Sequence, residues 1–260
     1  MVIAALCSEF KEMKDPMLSR PTHPLLLDES SHVIALVSCS SLHPSKPEGS
    51  ALFERAAELQ SRTGCDVSIA HVAKPAGTEQ NLKEHLTLRV LVKRINENFD
   101  SDFDVVIRYG AGNCDDVRRL VTERGGDLLL VDYADSETLE VGKRLVEHGS
   151  FPLWYVAKPG EIEEVSARLN NVEGAEASDQ LTVNLANHLG ENFGTRVNYL
   201  HSELNAINVG DLVVTCAKGV SEYAGDKSGR EMVRQLLETT PDFDLLVHRG
   251  TRCETLSDAA

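Results

Sequence analysis

The sequence predicts an α/β protein with a Rossmann-like parallel sheet, and three observations carry that reading. Between residues 32 and 160, short apolar runs and amphipathic stretches alternate five times. Such alternation gives parallel strands, right-handed crossovers and helices on both faces of the sheet. Several of the runs are rich in β-branched residues and short enough for buried strands. The run "DLLLVDYADS" also breaks off in Asp132, with Asp135 close behind; in this fold class the C-terminal ends of the strands border the ligand crevice.

Each element has its own signal. "HVIALVSC", beginning at His32, reads as the first strand. "SALFERAAELQSRTG" reads as a helix with Ser50 at its cap, Leu52, Ala56 and Leu59 on one stripe, and a stop at Gly64. "CDVSIAHVAKP" is the second strand and "TEQNLKEHLTLRVLVKRINENF" a long amphipathic helix. "FDVVIRYG" is the third strand; "NCDDVRRLVTERG" is a helix with Asn113 at its cap and acids in its first turn. "DLLLVDY", a helix from Ser136 as cap, and "FPLWYVAKP" complete the series. The fifth strand, 152–157, is expected at a sheet edge. Its run "PLWYVA" needs cover, so it is expected to pair with residues 243–248 or with a second chain. Trp154 and Tyr155 within it read as packing or interface residues.

Composition excludes several functions. Lys and Arg number 26 against 41 Asp and Glu, a net charge of −15. That balance opposes binding to nucleic acid or anionic lipid. The six cysteines are scattered, without a C-x-x-C pair or a histidine at ligand spacing, so no zinc site is expected and a reducing cytosol suits them. No stretch reaches membrane-spanning length. Residues 1–31 read as an irregular leader, with Pro16, Pro21 and Pro24, and 251–260 as a tail.

The ordered pieces "VIALVSC", "CDVSIAHVAKP", "DVVIRYGAGNCDDVRRLVTERGGDLLLVDYADS" and "FPLWYVAKP" resemble a universal stress protein domain, covering residues 32–160. The family often occurs as tandem repeats, and a second, shortened copy is read over residues 161–250. "EVSARLNNVEGAEASDQLTVNLANHLGENFGTRVNYLHSE" lies over the first strand–helix–strand unit, "GDLVVTCAKGVS" echoes "GDLLLVDYADS", and "REMVRQLLETTPDFDLLVHRG" echoes the last helix and strand. Only "LNAIN" remains for the second helix and third strand, which have no room.

The resemblance also implies a site. Many members hold ATP through a glycine pair after the fourth strand, a later small-residue pair opening the next helix, and an acid after the first strand. Glycine there leaves backbone N–H groups bare for phosphate. Carried over position by position, the first-strand acid is absent, with Cys39 and Ser40 in its place. Gly110 and Gly112 remain in the turn before the third helix. Asp132 and Asp135 replace the glycine pair, and the later pair is half kept as Gly142, followed by Lys143. At an effective dielectric of about 20, like charges about 4 Å apart cost on the order of 4 kcal/mol, so the two carboxylates would repel a triphosphate. Mg²⁺ could bridge them, and Lys143 could offset part of the repulsion. The alternatives are that the aspartates are turn and cap residues of a domain without ATP, or that they serve a cation or another ligand. The loop "CAKGVSEYAGDKSGR" is more basic, yet lacks the glycine spacing of a phosphate loop. His71 and His201 stand at equivalent strand ends and read as hydrogen-bonded edge residues.

No nucleophile elbow, H-E-x-x-H or Cys–His pairing is visible. The resulting expectation is a non-enzymatic cytosolic stress-response or regulatory module, without cofactor, self-associating through the last strands of its repeats and taking a small-molecule or nucleotide ligand. Two alternatives are an ATP-binding universal stress protein, in which weak ATPase activity is counted against by the replaced glycines, and the cytosolic regulatory domain of a cation or amino-acid transporter, which would bring a membrane transporter core as partner.

Overall fold

A computed structural model describes residues 25–38, 51–148, 151–169, 176–201, 211–216, 233–234, 236–238 and 242–248. Its elements are β1 (His32–Val37), α1 (Ala51–Thr63), β2 (Asp66–Ala73), α2 (Thr78–Phe99), β3 (Asp104–Tyr109), α3 (Cys114–Arg124), β4 (Leu128–Asp132), α4 (Ser136–His148), β5 (Leu153–Val156), β6 (Glu164–Leu169), α5 (Glu176–Phe193), β7 (Arg196–His201), β8 (Leu212–Cys216) and β9 (Asp244–His248). No helix among the described residues is long and apolar enough to cross a membrane.

The nine strands of the described residues form one sheet, in the order β3-β2-β1-β4-β5-β9-β8-β6-β7. Every pairing is parallel except β5 with β9, which is antiparallel. Counted outward from that junction, β9-β8-β6-β7 runs in the same sense as β5-β4-β1-β2, and among the described residues the second half has no counterpart of β3.

Strand alternation splits the core in two. Val33, Ala35 and Val37 face one side of the sheet, under Leu52, Ala56 and Leu59 of α1, Leu88, Leu91 and Ile95 of α2, and Leu185 and Leu189 of α5. Ile34 and Leu36 face the other, under Val117 and Leu120 of α3, Leu145 of α4, and the helical residues Val233, Leu236 and Leu237. Helices therefore cover both faces, as parallel strands buried on both sides require.

Two expectations change. The fifth strand is not at an edge: β5 lies inside the sheet, between β4 and β9, with Trp154 fully buried. The expected partner, 243–248, fills the side that would otherwise be open, and the edges fall to β3 and β7. The cap of α4 is Asp135 rather than Ser136, since the Asp135 Oδ1 accepts the N–H groups of Glu137 at 3.0 Å and Thr138 at 3.3 Å. Asn113 does cap α3, accepting Asp116 N–H at 3.1 Å. Ser50 lies outside the described residues.

The junction between the halves is polar and buried. Asp244 is 0% exposed and accepts from Arg55 Nε at 2.8 Å, Trp154 Nε1 at 3.0 Å and the Ala157 N–H at 2.9 Å. Arg55, itself 2% exposed, also pairs with Glu58, and its guanidinium lies 6.0 Å from the centre of the Trp154 ring. Beside it, Lys158 Nζ and Asp211 pair at 2.6 Å and fix the connecting segment. An ion pair this deeply buried depends on having its remaining hydrogen bonds made, and here the indole and backbone donors complete the set.

Candidate functional site

The crevice that α/β sheets use for ligands lies between β1 and β4. The two strands are neighbours, but α1 leaves β1 over one face and α4 leaves β4 over the other, so the chain parts at their C-terminal ends. Residues 39–50, which follow β1, lie outside the described set.

Asp132 ends β4 and enters this crevice as a turn residue, its Oδ1 accepting the Ala134 N–H at 2.8 Å. Asp135 is 8% exposed and caps α4 through the two N–H groups named above. The first N–H groups of α4, the donors a phosphate would use, therefore already hold a carboxylate of the same chain.

The glycine turn after β3 is filled in the same way. Gly110 donates its N–H to the Ala73 carbonyl at 2.9 Å, extending the β2–β3 pairing. Gly112, at φ +74°, donates to Asp116 Oδ2 at 3.1 Å. Any side chain at Gly110 would come within 2.5 Å of the Asp116 carboxyl carbon, so glycine is needed here to admit the protein's own carboxylate. Asp116 was not singled out in the sequence. The "NCDD" after Asn113 reads equally well as favourable first-turn acid.

Gly142 and Lys143 do not join the crevice as a helix opening. Gly142 stands in the interior of α4, where a Cβ would meet the Tyr155 ring at 2.9 Å; it is small so that α4 can approach β5. Lys143 follows about 10 Å along the axis from the start of α4. Tyr133, also missed in the sequence, closes the top of the α4 turn by donating its hydroxyl to the Leu237 carbonyl at 2.7 Å.

His71 is 2% exposed, and its Nδ1–H donates to the Val37 carbonyl at 2.9 Å. His201 occupies the same register position in the second half, opposite Leu169 as His71 is opposite Val37. At the C-terminal ends of β8 and β9 stand Cys216 and His248, paired in register; Cys216 takes the place that Asp132 has on β4. Thr182 gives its hydroxyl hydrogen to Ser178 at 2.9 Å, so at 2.7 Å from His248 Nε2 the hydroxyl oxygen accepts and the imidazole donates. His248 would have been findable as the polar end of "DLLVH". The loop "CAKGVSEYAGDKSGR" after Thr215 is outside the described residues beyond Cys216. No group of three or more His, Cys, Asp or Glu at metal-holding distances occurs among the described residues.

No protein-family model matches the chain, and no curated protein matches it either. Its fold does have solved counterparts. A structure assigned as a universal stress protein of Pseudomonas aeruginosa UCBPP-PA14 shares 9% identity and superposes at TM-score 0.60 over 85% of this chain and 94% of that one. A protein of unknown function from Pseudomonas aeruginosa PAO1 shares 10% identity at TM-score 0.61, over 85% and 93%. A universal stress protein in complex with cAMP overlaps more weakly, at 15% identity and TM-score 0.30, and that overlap is too low to bear on a ligand here. The continuous, mostly parallel sheet, its helices on both faces and these superpositions together give the chain the fold of the universal stress proteins.

Proposed function

We propose that the chain is a non-catalytic cytosolic regulatory module of the universal stress type, whose first-half crevice is closed to ATP. One observation carries this reading: the described backbone donors on the β4 side of the crevice are already committed. Ala134 donates to Asp132, and Glu137 and Thr138 donate to Asp135; two strands away, in the turn after β3, Gly112 likewise donates to Asp116 and Gly110 to the sheet. A triphosphate in the crevice would have to displace two carboxylates, those of Asp132 and Asp135, from these donors and then lie against them. Mg²⁺ would meet the same carboxylates already held by N–H groups. On this reading the module responds through a different small ligand or through a protein contact, in a stress or signalling response.

Titration calorimetry of the full chain with ATP tests the closed crevice, with and without Mg²⁺. The expected dissociation constant is above about 100 μM, less than about 5.5 kcal/mol of binding free energy. Asp132→Gly with Asp135→Gly should improve affinity more than Asp132→Asn with Asp135→Asn. The asparagines keep both the turn and the cap and still occupy the donors, whereas glycine bares them and costs the helix start only a few tenths of a kcal/mol, about 0.3. Micromolar binding by the unmodified chain would show that the carboxylates serve the ligand, and would overturn the reading.

A further inference from the structure

The long helix α2 has two apolar faces and buries only one. Leu88, Leu91, Val92 and Ile95 pack on the sheet. No residue of α2 before Leu88 is fully buried; over residues 78–87, about 15 Å of helix, Asn81, Glu84, His85 and Thr87 are half-buried and the rest exposed. On that segment Leu82 and Leu86 are 57% and 53% exposed, and Val90, one turn further on, is 52% exposed. Tyr109 of the edge strand β3 flanks them, its hydroxyl donating to the Asn81 carbonyl at 3.3 Å. A helical segment with few tertiary contacts is marginal in water, and three large side chains left in solvent at four-residue spacing form a ready ridge for another helix.

The charges at the two ends of this ridge say what fits it. With about 100° per residue and Leu86 as origin, Leu82 and Val90 lie about 40° to either side, and Glu79 and Lys93 about 20° to either side. The ridge is thus symmetric about Leu86 in its apolar positions and opposite in sign at its ends. Lys93 shares only an exposed pair with Glu97 at 3.8 Å, which holds it weakly.

We propose that this face is the contact surface of an isologous dimer, in which α2 of one copy packs antiparallel on α2 of a second copy with the two-fold axis beside Leu86. Antiparallel pairing sets Glu79 against Lys93 of the second copy, twice. A parallel pairing would set Glu79 against Glu79 and Lys93 against Lys93, which repels. Lys83 and Arg89 lie on opposite flanks of the ridge, so the two-fold does not bring them together. Three apolar side chains from each copy make a small contact, below the size of tight complexes, so the association is weak and concentration-dependent.

Analytical ultracentrifugation of the full chain over roughly 1–200 μM tests this, since that range brackets weak self-association. A monomer–dimer equilibrium is expected. Leu86→Glu, which places two carboxylates on the axis, should weaken it at least about tenfold, equivalent to about 1.4 kcal/mol. Leu86→Gln serves as the second variant should the charged one fail to fold, as circular dichroism would show. Glu79→Lys alone and Lys93→Glu alone should each weaken the dimer, and the two together should restore it. A monomer at every concentration, a dimer indifferent to both Leu86 variants, or single charge exchanges that the double exchange does not correct would each overturn the proposal.

Discussion

The indole N–H of Trp154 donates to Asp244 Oδ2 at 3.0 Å across the one antiparallel pairing of the sheet, joining residues 90 positions apart in the chain. The same oxygen accepts Arg55 Nε from α1. A single buried carboxylate therefore serves a helix and a strand of the first half from a strand of the second, and each half supplies what the other's buried charge lacks.

Removing that carboxylate should be severe. Asp244→Ala leaves the Arg55 Nε–H and the Trp154 N–H buried without their acceptor, with Glu58 alone against the Arg55 charge, and is expected to cost about 3 kcal/mol or more. Trp154→Phe keeps most of the ring and forfeits one donor, for about 1–2 kcal/mol of lost hydrogen bonding plus a smaller packing loss. Urea unfolding of both variants would check the order; equal effects would show that ring packing, not the carboxylate, joins the halves.

Cutting the chain after Gly160 exposes the β5 edge and leaves Arg55 without Asp244. The fragment is expected to dimerise through β5 or to precipitate. Size-exclusion chromatography with light scattering would check it, and a stable monomer would show that β5 tolerates solvent.

Tyr155 carries a strain of polarity rather than of shape. It is 1% exposed, its hydroxyl has no hydrogen-bond partner among the described residues, and burial pushes the phenol pKa far upward. Tyr155→Phe should therefore raise stability by about 1 kcal/mol in a thermal melt. Gly142→Ala should act in the opposite direction. The gain in helix propensity is about 1 kcal/mol, but a Cβ at 2.9 Å from a fully buried ring forces repacking at about 1–3 kcal/mol.

Asp211 gives the junction an acid-sensitive limb. Burial by itself would raise its carboxyl, but hydrogen bonds from Lys158 and from the backbone N–H groups of Glu163 and Glu164 outweigh burial and hold the pKa below 3.8. A carboxyl lowered by folding stabilises the protein above its unfolded pKa and loses that contribution as pH falls through the folded one. Stability measured between about pH 5 and pH 2 should thus fall less steeply for Asp211→Asn than for the unmodified chain. Parallel curves would show that Asp211 contributes nothing to the acid limb.

Local order was largely legible. The 3.6-residue pattern placed α2 at its structural bounds. What depended on distant residues was not legible. "DFDLLVH" reads as a strand, but nothing in it marks Asp244 as the partner of Arg55, 189 positions away. "PLWYVA" shows a strand apolar on both faces without showing what covers its second side. In "ADSE" both Asp135 and Ser136 are good caps, and only the backbone path decides between them. The filled glycine turn was hidden for the same reason: Gly110 and Gly112 invite an anion in sequence, and the fold answers with Asp116.

The antiparallel junction gives the molecule two poles. With every other pairing parallel, the strands of the first half end at one rim of the sheet and those of the second half at the opposite rim. Asp132 and Asp135 stand at the first rim; Cys216 and His248 stand at the second. A small ligand bound at one rim cannot touch the other. Along the sheet, the rims are separated by the length of β5 and β9, about 15 Å of backbone, beside the buried set around Asp244. A partner holding one rim would leave the other facing away from it, free to meet something else.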